Sequence, residues 1–284
     1  MARRLLYGLA LVLLLVGGLY LALSRRAVRL LAERPPVRTV SLPAPDSSSV
    51  ARGAHLAGVL GCEECHGASL EGALLAEAPP ASLNAPNLTR GQGGVGALLT
   101  PERVEHAVRQ GIGTDGRRLY VMPAFSGLAD SDVAALSAYL AQVAPVDRPG
   151  RAVEFTALGR LLVGAGKFIP ETARVPATTP PAAPPPAPDR LATGHYFVGM
   201  TCVHCHGTAL KGGAHPDPEA PPAPDLSAAA RWDEADFATA LRTGVRPTGP
   251  ALDPRWMPWK ALVHLTDDEV AGIHAALQER TGAR

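Results

Sequence analysis

One short string occurs twice and uses every cysteine of the 284-residue chain: Cys62-Glu63-Glu64-Cys65-His66 and Cys202-Val203-His204-Cys205-His206. Two thiols one helical turn apart can each add to a porphyrin vinyl group, and the histidine that follows then lies under the iron as its proximal ligand. A thioredoxin-like redox pair is expected beside a βαβ pattern, and a zinc site needs four ligands at closer spacing than two pairs so far apart. The sequence offers neither context, and neither explains a histidine after both pairs. The chain is therefore expected to carry two covalently bound haem c groups, attached through Cys62, Cys65, Cys202 and Cys205, with His66 and His206 on the irons.

Two haems relieve a shortage in the composition. Only 5% of residues are aromatic, which is thin for two cores of this size, and a buried porphyrin supplies apolar mass to each. The 28 prolines and 29 glycines imply turn-rich connections between short helices. No run shows the period-two alternation of a strand, so the expected fold class is all-α.

The sequence repeats at an offset near 140 residues. Upstream of the motifs, Arg52-Gly53-Ala54-His55-Leu56 answers to Thr193-Gly194-His195-Tyr196-Phe197, each opening a short helix. Downstream, Ala85-Pro86-Asn87-Leu88-Thr89 answers to Ala223-Pro224-Asp225-Leu226-Ser227. Thr100-Pro101-Glu102 reads as N-cap, N1 proline and acidic first turn of a helix ending at Gly111, and its counterpart runs from Asp233 to Gly244. Each half closes with an amphipathic helix, Val133, Leu136, Leu140 and Val143 sharing one face in the first and Val270, Ile273 and Leu277 in the second. The second closing helix has a capping box, Thr266 to Glu269; the first has Asp130 or Ser131 as its cap.

From Leu5 to Leu23 the chain carries no charge, and nineteen residues at about 1.5 Å each reach the ~30 Å of a hydrocarbon core. This is a membrane span or the core of a signal peptide. Its length, and the lack of an Ala-x-Ala site before Ser24-Arg25-Arg26, favour an uncleaved anchor. Arg3 and Arg4 on one side face Arg25, Arg26 and Arg29 on the other, so charge alone leaves the orientation open. Before Asp46 there are seven arginines and one acid, which leaves the rest of the chain with five more acids than bases. An acidic body disfavours nucleic acid as a partner and suits docking to a basic patch on another redox protein.

The expected division is an anchor at 1–24, a juxtamembrane linker at 25–46, a first haem unit at 47–145, a connection at 146–188 and a second haem unit at 189–284. Within the connection, Phe155 to Ile169 is apolar and too short to cross a bilayer. It either lies on a membrane surface or packs on a haem unit. Pro176 to Pro188 reads as a semi-rigid extended tether.

A haem c iron with one histidine needs a second axial ligand, and its identity separates a carrier from a site open to small molecules. Met1 is the initiator and Met200 lies beside the proximal segment, which leaves Met122 in Tyr120-Val121-Met122-Pro123 and Met257 in Arg255-Trp256-Met257-Pro258. A proline after the methionine removes a backbone donor and holds the preceding residue extended, which suits a loop aimed inward. Met-Pro pairs at equivalent places in both halves point to axial ligation rather than core filling. Of the other histidines, His55, His106, His195, His204, His215, His264 and His274, only His264 and His215 are plausible substitutes. His55 and His195 do not align and are read as incidental. His/Met ligation places both haems at comparatively high potential, and Trp256 and Trp259 around Met257, against Val121 and Phe125 around Met122, predict two distinct potentials.

On these residues each half resembles the class I c-type cytochrome domain. The stretches APNLT and TPERVEHAVRQGIGTDGRRLYVMPAFSGLADSDVAALSAYL look like the membrane-bound cytochrome subunits of bacterial alcohol and gluconate dehydrogenases. The resemblance covers nearly all of residues 50–144 and 190–280. It implies haem binding through Cys62, Cys65, His66 and Met122, then Cys202, Cys205, His206 and Met257. Those subunits commonly hold three haem units, whereas this chain has two and an N-terminal anchor. Haem attachment by this motif occurs outside the bacterial cytoplasmic membrane, so the resemblance implies a cytoplasmic N-terminus and a periplasmic body.

The expected role is single-electron transfer between a dehydrogenase subunit or quinol-oxidising complex and an acceptor such as a soluble cytochrome or terminal oxidase, with no catalytic residue of its own. The alternative is a two-haem enzyme of the peroxidase or thiosulfate-oxidising type, which needs one open iron. A haem-based sensor needs an output segment, and none is read in the sequence.

Overall fold

The computed structural model describes residues 2–173, 180–181, 183–186, 189–214 and 220–283. It opens with α1, Ala2–Ala32, one unbroken helix of 31 residues. Along its apolar run the side chains are exposed, with Leu5 and Leu14 about three-quarters so. The helix continues past the expected boundary at residue 24, because nothing between Arg25 and Ala32 breaks it; Pro35 and Pro36 are the first residues that do. Its last turns belong to the body of the protein. Ala27 is fully buried, Arg118 donates to Glu33 at 3.0 Å, and the Arg38 backbone bonds both ways with the Gln110 side chain.

The first repeat consists of α2 (Ser49–Val59), α3 (Cys62–His66), a hairpin of β1 (Ala73–Ala78) and β2 (Ala81–Ala85), α4 (Pro101–Gln110) and α5 (Asp130–Leu140). After it come β3 (Glu154–Phe155) and α6 (Ala157–Gly164). The second repeat consists of α7 (Arg190–Phe197), α8 (Val203–His206), α9 (Glu234–Thr243), α10 (Trp259–Leu262) and α11 (Asp267–Thr281). In each, the opening and closing helices cross at an aligned glycine. Gly53 rests on the Ala135 carbonyl and Gly194 on the Gly272 carbonyl, leaving no room for a Cβ. Leu56, Val133 and Leu136 fill the first core, and Phe197, Ile273 and Leu277 the second, each at most 2% exposed.

Local signals formed as expected where side chain and backbone meet within a turn. Thr100 accepts from Arg103 N, Asp233 from Asp236 N, and Thr266 and Glu269 close a full capping box. Gly111 and Gly244 end their helices in the left-handed conformation that glycine adopts without a Cβ penalty. The cap of α5 differs. Its N-cap is Ala129, because the Asp130 carboxylate is engaged by Arg109 at 2.7 Å.

The fold is mostly helical, as expected, with the addition of a small antiparallel sheet, order β1-β2-β3. Ala-Leu-Leu-Ala-Glu-Ala has the composition of a helix, so propensity concealed the strand. Pro79 and Pro80 bar helix continuation and turn the chain, pairing Ala78 with Ala81. Among the described residues the second repeat has a bridge between Gly213 and Ala223, where the first pairs Ala73 with Ala85.

The start of the connection is laid along the first repeat. The Val146 carbonyl accepts from Asn87, and β3 pairs with β2. The apolar segment that follows forms α6, wedged between the hairpin and α1: Gly159 rests on the Pro80 carbonyl and Gly164 on the Leu23 carbonyl. Most of the Pro176 to Pro188 tether lies outside the described residues.

The two repeats dock. Arg52 forms a two-pronged bond to Asp132, at 2.9 and 2.8 Å, and faces Glu269 of the second repeat at 3.6 Å. His55 meets Glu269 at 2.9 Å. Tyr196 donates to Asp132 at 2.8 Å and accepts from Ala129 N at 2.8 Å.

Candidate functional site

Each motif forms a short helix followed by the same loop. Gly67 and Gly207 turn the chain with φ of 85° and 73°, and Leu70 and Leu210 then adopt left-handed φ of 56° and 58°. A non-glycine residue in that region costs on the order of 1–3 kcal/mol and persists where its surroundings over-determine it. Both leucines are buried, and both loops are stitched identically. Gly72 N bonds His66 O at 2.6 Å and Gly212 N bonds His206 O at 2.9 Å; Leu88 N reaches Leu70 O and Leu226 N reaches Leu210 O.

The loop returns a proline carbonyl to the histidine. His66 Nδ1 lies 2.8 Å from Pro86 O and His206 Nδ1 lies 2.9 Å from Pro224 O. A carbonyl can only accept, so the proton sits on Nδ1 and Nε2 carries the lone pair, the tautomer a metal-binding imidazole requires. Burial lowers the His66 pKa, against the opposing pull of that hydrogen bond, and keeps the ring neutral.

Burial also pushes the Cys62 thiol up to about 12 and raises Cys65 and Cys202. Protonated thiols behave as small apolar groups and are slow to oxidise. Among the described residues there is no disulfide.

All eight expected residues, Cys62, Cys65, His66, Met122, Cys202, Cys205, His206 and Met257, line one continuous cavity of about 1510 Å³. That exceeds the roughly 300–1,000 Å³ of a small-molecule site. Val104, Val108, Leu140, Phe237, Leu241 and Leu277 make its walls apolar. Both methionines are half-buried and pack against the core. A large apolar cavity that presents two thiols, an oriented imidazole and a thioether in each repeat fits haem c.

The other sequence candidates fall elsewhere. His264 rests on Gly58 of α2, outside the cavity lining, and His215 lies outside the described residues. Trp256 lines the cavity, whereas Trp259 turns to Gly244 and donates to Leu252 O. His55, read as incidental, is part of the contact between repeats.

Sequence reasoning missed three parts of the wall. Val28, Leu31 and Ala32 of α1 border the cavity, and so do Phe155 of β3 and Arg160 of α6. Between the repeats, Phe125 and His204 meet edge to face at 5.6 Å, and both line the cavity. No local pattern marks such contacts; His204 occupies one of the two unconstrained positions of its motif.

Comparison with known proteins agrees with this geometry. Residues 48–140 match the family described as cytochrome c oxidase, cbb3-type, subunit III, and residues 191–279 match the cytochrome c family. The chain is 28% identical over 263 residues to the cytochrome c subunit of the quinone alcohol dehydrogenase of Gluconacetobacter polyoxogenes, and equally to that of Komagataeibacter europaeus. Each alignment covers 81% of this chain and 54% of the relative, so the chain spans about half their length. It is also 37% identical over 120 residues to the fructose dehydrogenase cytochrome subunit of Gluconobacter japonicus, covering 38% of this chain and 24% of that one.

Proposed function

We propose that this chain, which is two cytochrome c domains in tandem behind a long apolar helix, passes single electrons at the periplasmic face of a bacterial cytoplasmic membrane. It serves as a respiratory carrier or as the cytochrome subunit of a dehydrogenase complex. The observation that carries this reading is the cavity with two complete sets of donors, each a cysteine pair, a histidine and a methionine.

Two haem c groups would supply one-electron iron couples. In the first domain, residues 47–145, Cys62 and Cys65 would anchor the ring, and His66 and Met122 would hold its iron. In the second, residues 189–284, Cys202, Cys205, His206 and Met257 would do the same. Pro86 and Pro224 orient the imidazoles, and Val104, Val108, Phe237 and Leu241 exclude water. An iron held by both a histidine and a methionine would make and break no substrate bonds. The 5–23 run of α1 spans the membrane and holds the domains at its surface.

The named relatives are cytochrome subunits of dehydrogenases, which supports a dehydrogenase as the donor; in this reading the acceptor is a soluble cytochrome or terminal oxidase. The test is a covalent haem count per chain with carbon monoxide binding to the reduced protein. Two haems and no binding are expected. Rapid binding at one haem would overturn axial ligation by that domain's methionine.

A further inference from the structure

We propose that α6 is a second membrane contact, lying in the headgroup layer beside α1 and seating the first domain on the bilayer. The proposal rests on the reading that residues 5–23 of α1 span the membrane.

The argument begins with depth. A span from Leu5 to Leu23 fills a hydrocarbon core of about 30 Å, which sets Leu23 at its outer boundary. The Leu23 carbonyl is where Gly164 packs against α1, with no space for a Cβ between them. Packed helix axes stand roughly 8–10 Å apart, so α6 cannot leave the interface while that contact holds.

The exposed chemistry of α6 suits that layer. Gly159, Val163 and Gly164 are buried against the protein. On the outer side Leu158 is 49% exposed, Ala157 and Ala165 are exposed, and Leu161 and Leu162 are half-buried. Exposed Arg25, Arg26 and Arg29 of α1 lie within two turns of Leu23, and exposed Arg160 and Lys167 lie within four residues of Gly164. An apolar face with cations close to it matches an anionic lipid surface. Beneath it Tyr120, Phe155 and Phe168 form a cluster with centroids 5.4–6.1 Å apart, of which tyrosine is a residue type enriched at the membrane interface. The helix is fixed in place, since Thr156 caps it through Gly159 N and donates to Pro79 O in the hairpin turn.

The experiment uses the full, haem-loaded chain in vesicles of phosphatidylethanolamine and phosphatidylglycerol. A nitroxide is placed on Leu158→Cys, Leu13→Cys or Lys211→Cys, the native cysteines being tied up in thioethers. Collision of each label with oxygen and with a water-soluble nickel chelate reports its depth. Leu13 should read as bilayer core, Lys211 as bulk water, and Leu158 between them, near the headgroups. Arg160→Glu with Lys167→Glu should shift the Leu158 label toward water. The proposal is overturned if Leu158 reads like Lys211 while Leu13 reads as core, and likewise if Leu158 is immobilised without an oxygen gradient, as against a protein. A Leu13 label that reads as water would sink the membrane span itself.

Discussion

The two domains share the loop after the motif, bond for bond, and the glycine-crossed helix pair, and differ in what surrounds them. The first is bordered by α1, the hairpin, β3 and α6, and its α4 carries the buried Arg109, held by the Leu128 carbonyl and Asp130. The second shows, among the described residues, a single bridge in place of the hairpin, and fixes the equivalent Arg242 through the Val263 carbonyl and Asp267 nearer the surface. Entry to the motif differs too. The first domain passes through left-handed Gly61, whereas the second winds through a π-helical turn, Val198–Cys202. What the repeats keep in common is the loop that delivers the histidine and the helix pair behind it, while the elements packed outside them are free to differ.

The sharpest way to break this comparison is to remove one cysteine pair at a time. Cys62→Ala with Cys65→Ala, and Cys202→Ala with Cys205→Ala, should each reduce covalent haem from two to one per chain, read by absorbance and intact mass. If one pair also empties the other site, the domains are not chemically independent. At the next level, Met122→Ala and Met257→Ala should leave both haems attached and admit carbon monoxide at one reduced iron each. Unchanged ligation after either replacement would remove that methionine from the site.

Packing gives a smaller effect. Gly53→Ala and Gly194→Ala push a methyl into the facing helix carbonyl and should destabilise their own domain by about 1–3 kcal/mol in denaturant unfolding. Tyr196→Phe removes the buried bonds to Asp132 and Ala129 N and should cost about 1–2 kcal/mol, splitting a joint transition into two. The mildest effect is on pH. Burial alone would raise the Glu269 carboxyl, but hydrogen bonds from His55 and Thr266 N with the Arg52 charge outweigh it and lower the pKa below its ordinary 4.5. Its contribution to docking is therefore complete above that value and fades as pH falls through the depressed one, which small-angle scattering across an acid titration would detect.

What the sequence disclosed follows the range of the interactions. That the two motifs and the two Met-Pro pairs would meet at one cavity was legible, because they recur at equivalent places in both repeats. The Thr100, Asp233 and Thr266 caps were legible because donor and acceptor lie three residues apart. The hairpin was not, since its strands are alanine and leucine and their pairing depends on a proline turn and on distant β3. The contact between domains left no local trace: Tyr196 finds Asp132 across 64 residues and His55 finds Glu269 across 214.

Phe125 comes from the first domain and His204 from the second, and the face they share belongs to the wall of one cavity. A chain made from its N-terminus reaches Phe125 long before His204 exists. The wall of the first pocket is therefore incomplete until the second domain docks. Docking then supplies the missing face, so the two halves finish one another as containers.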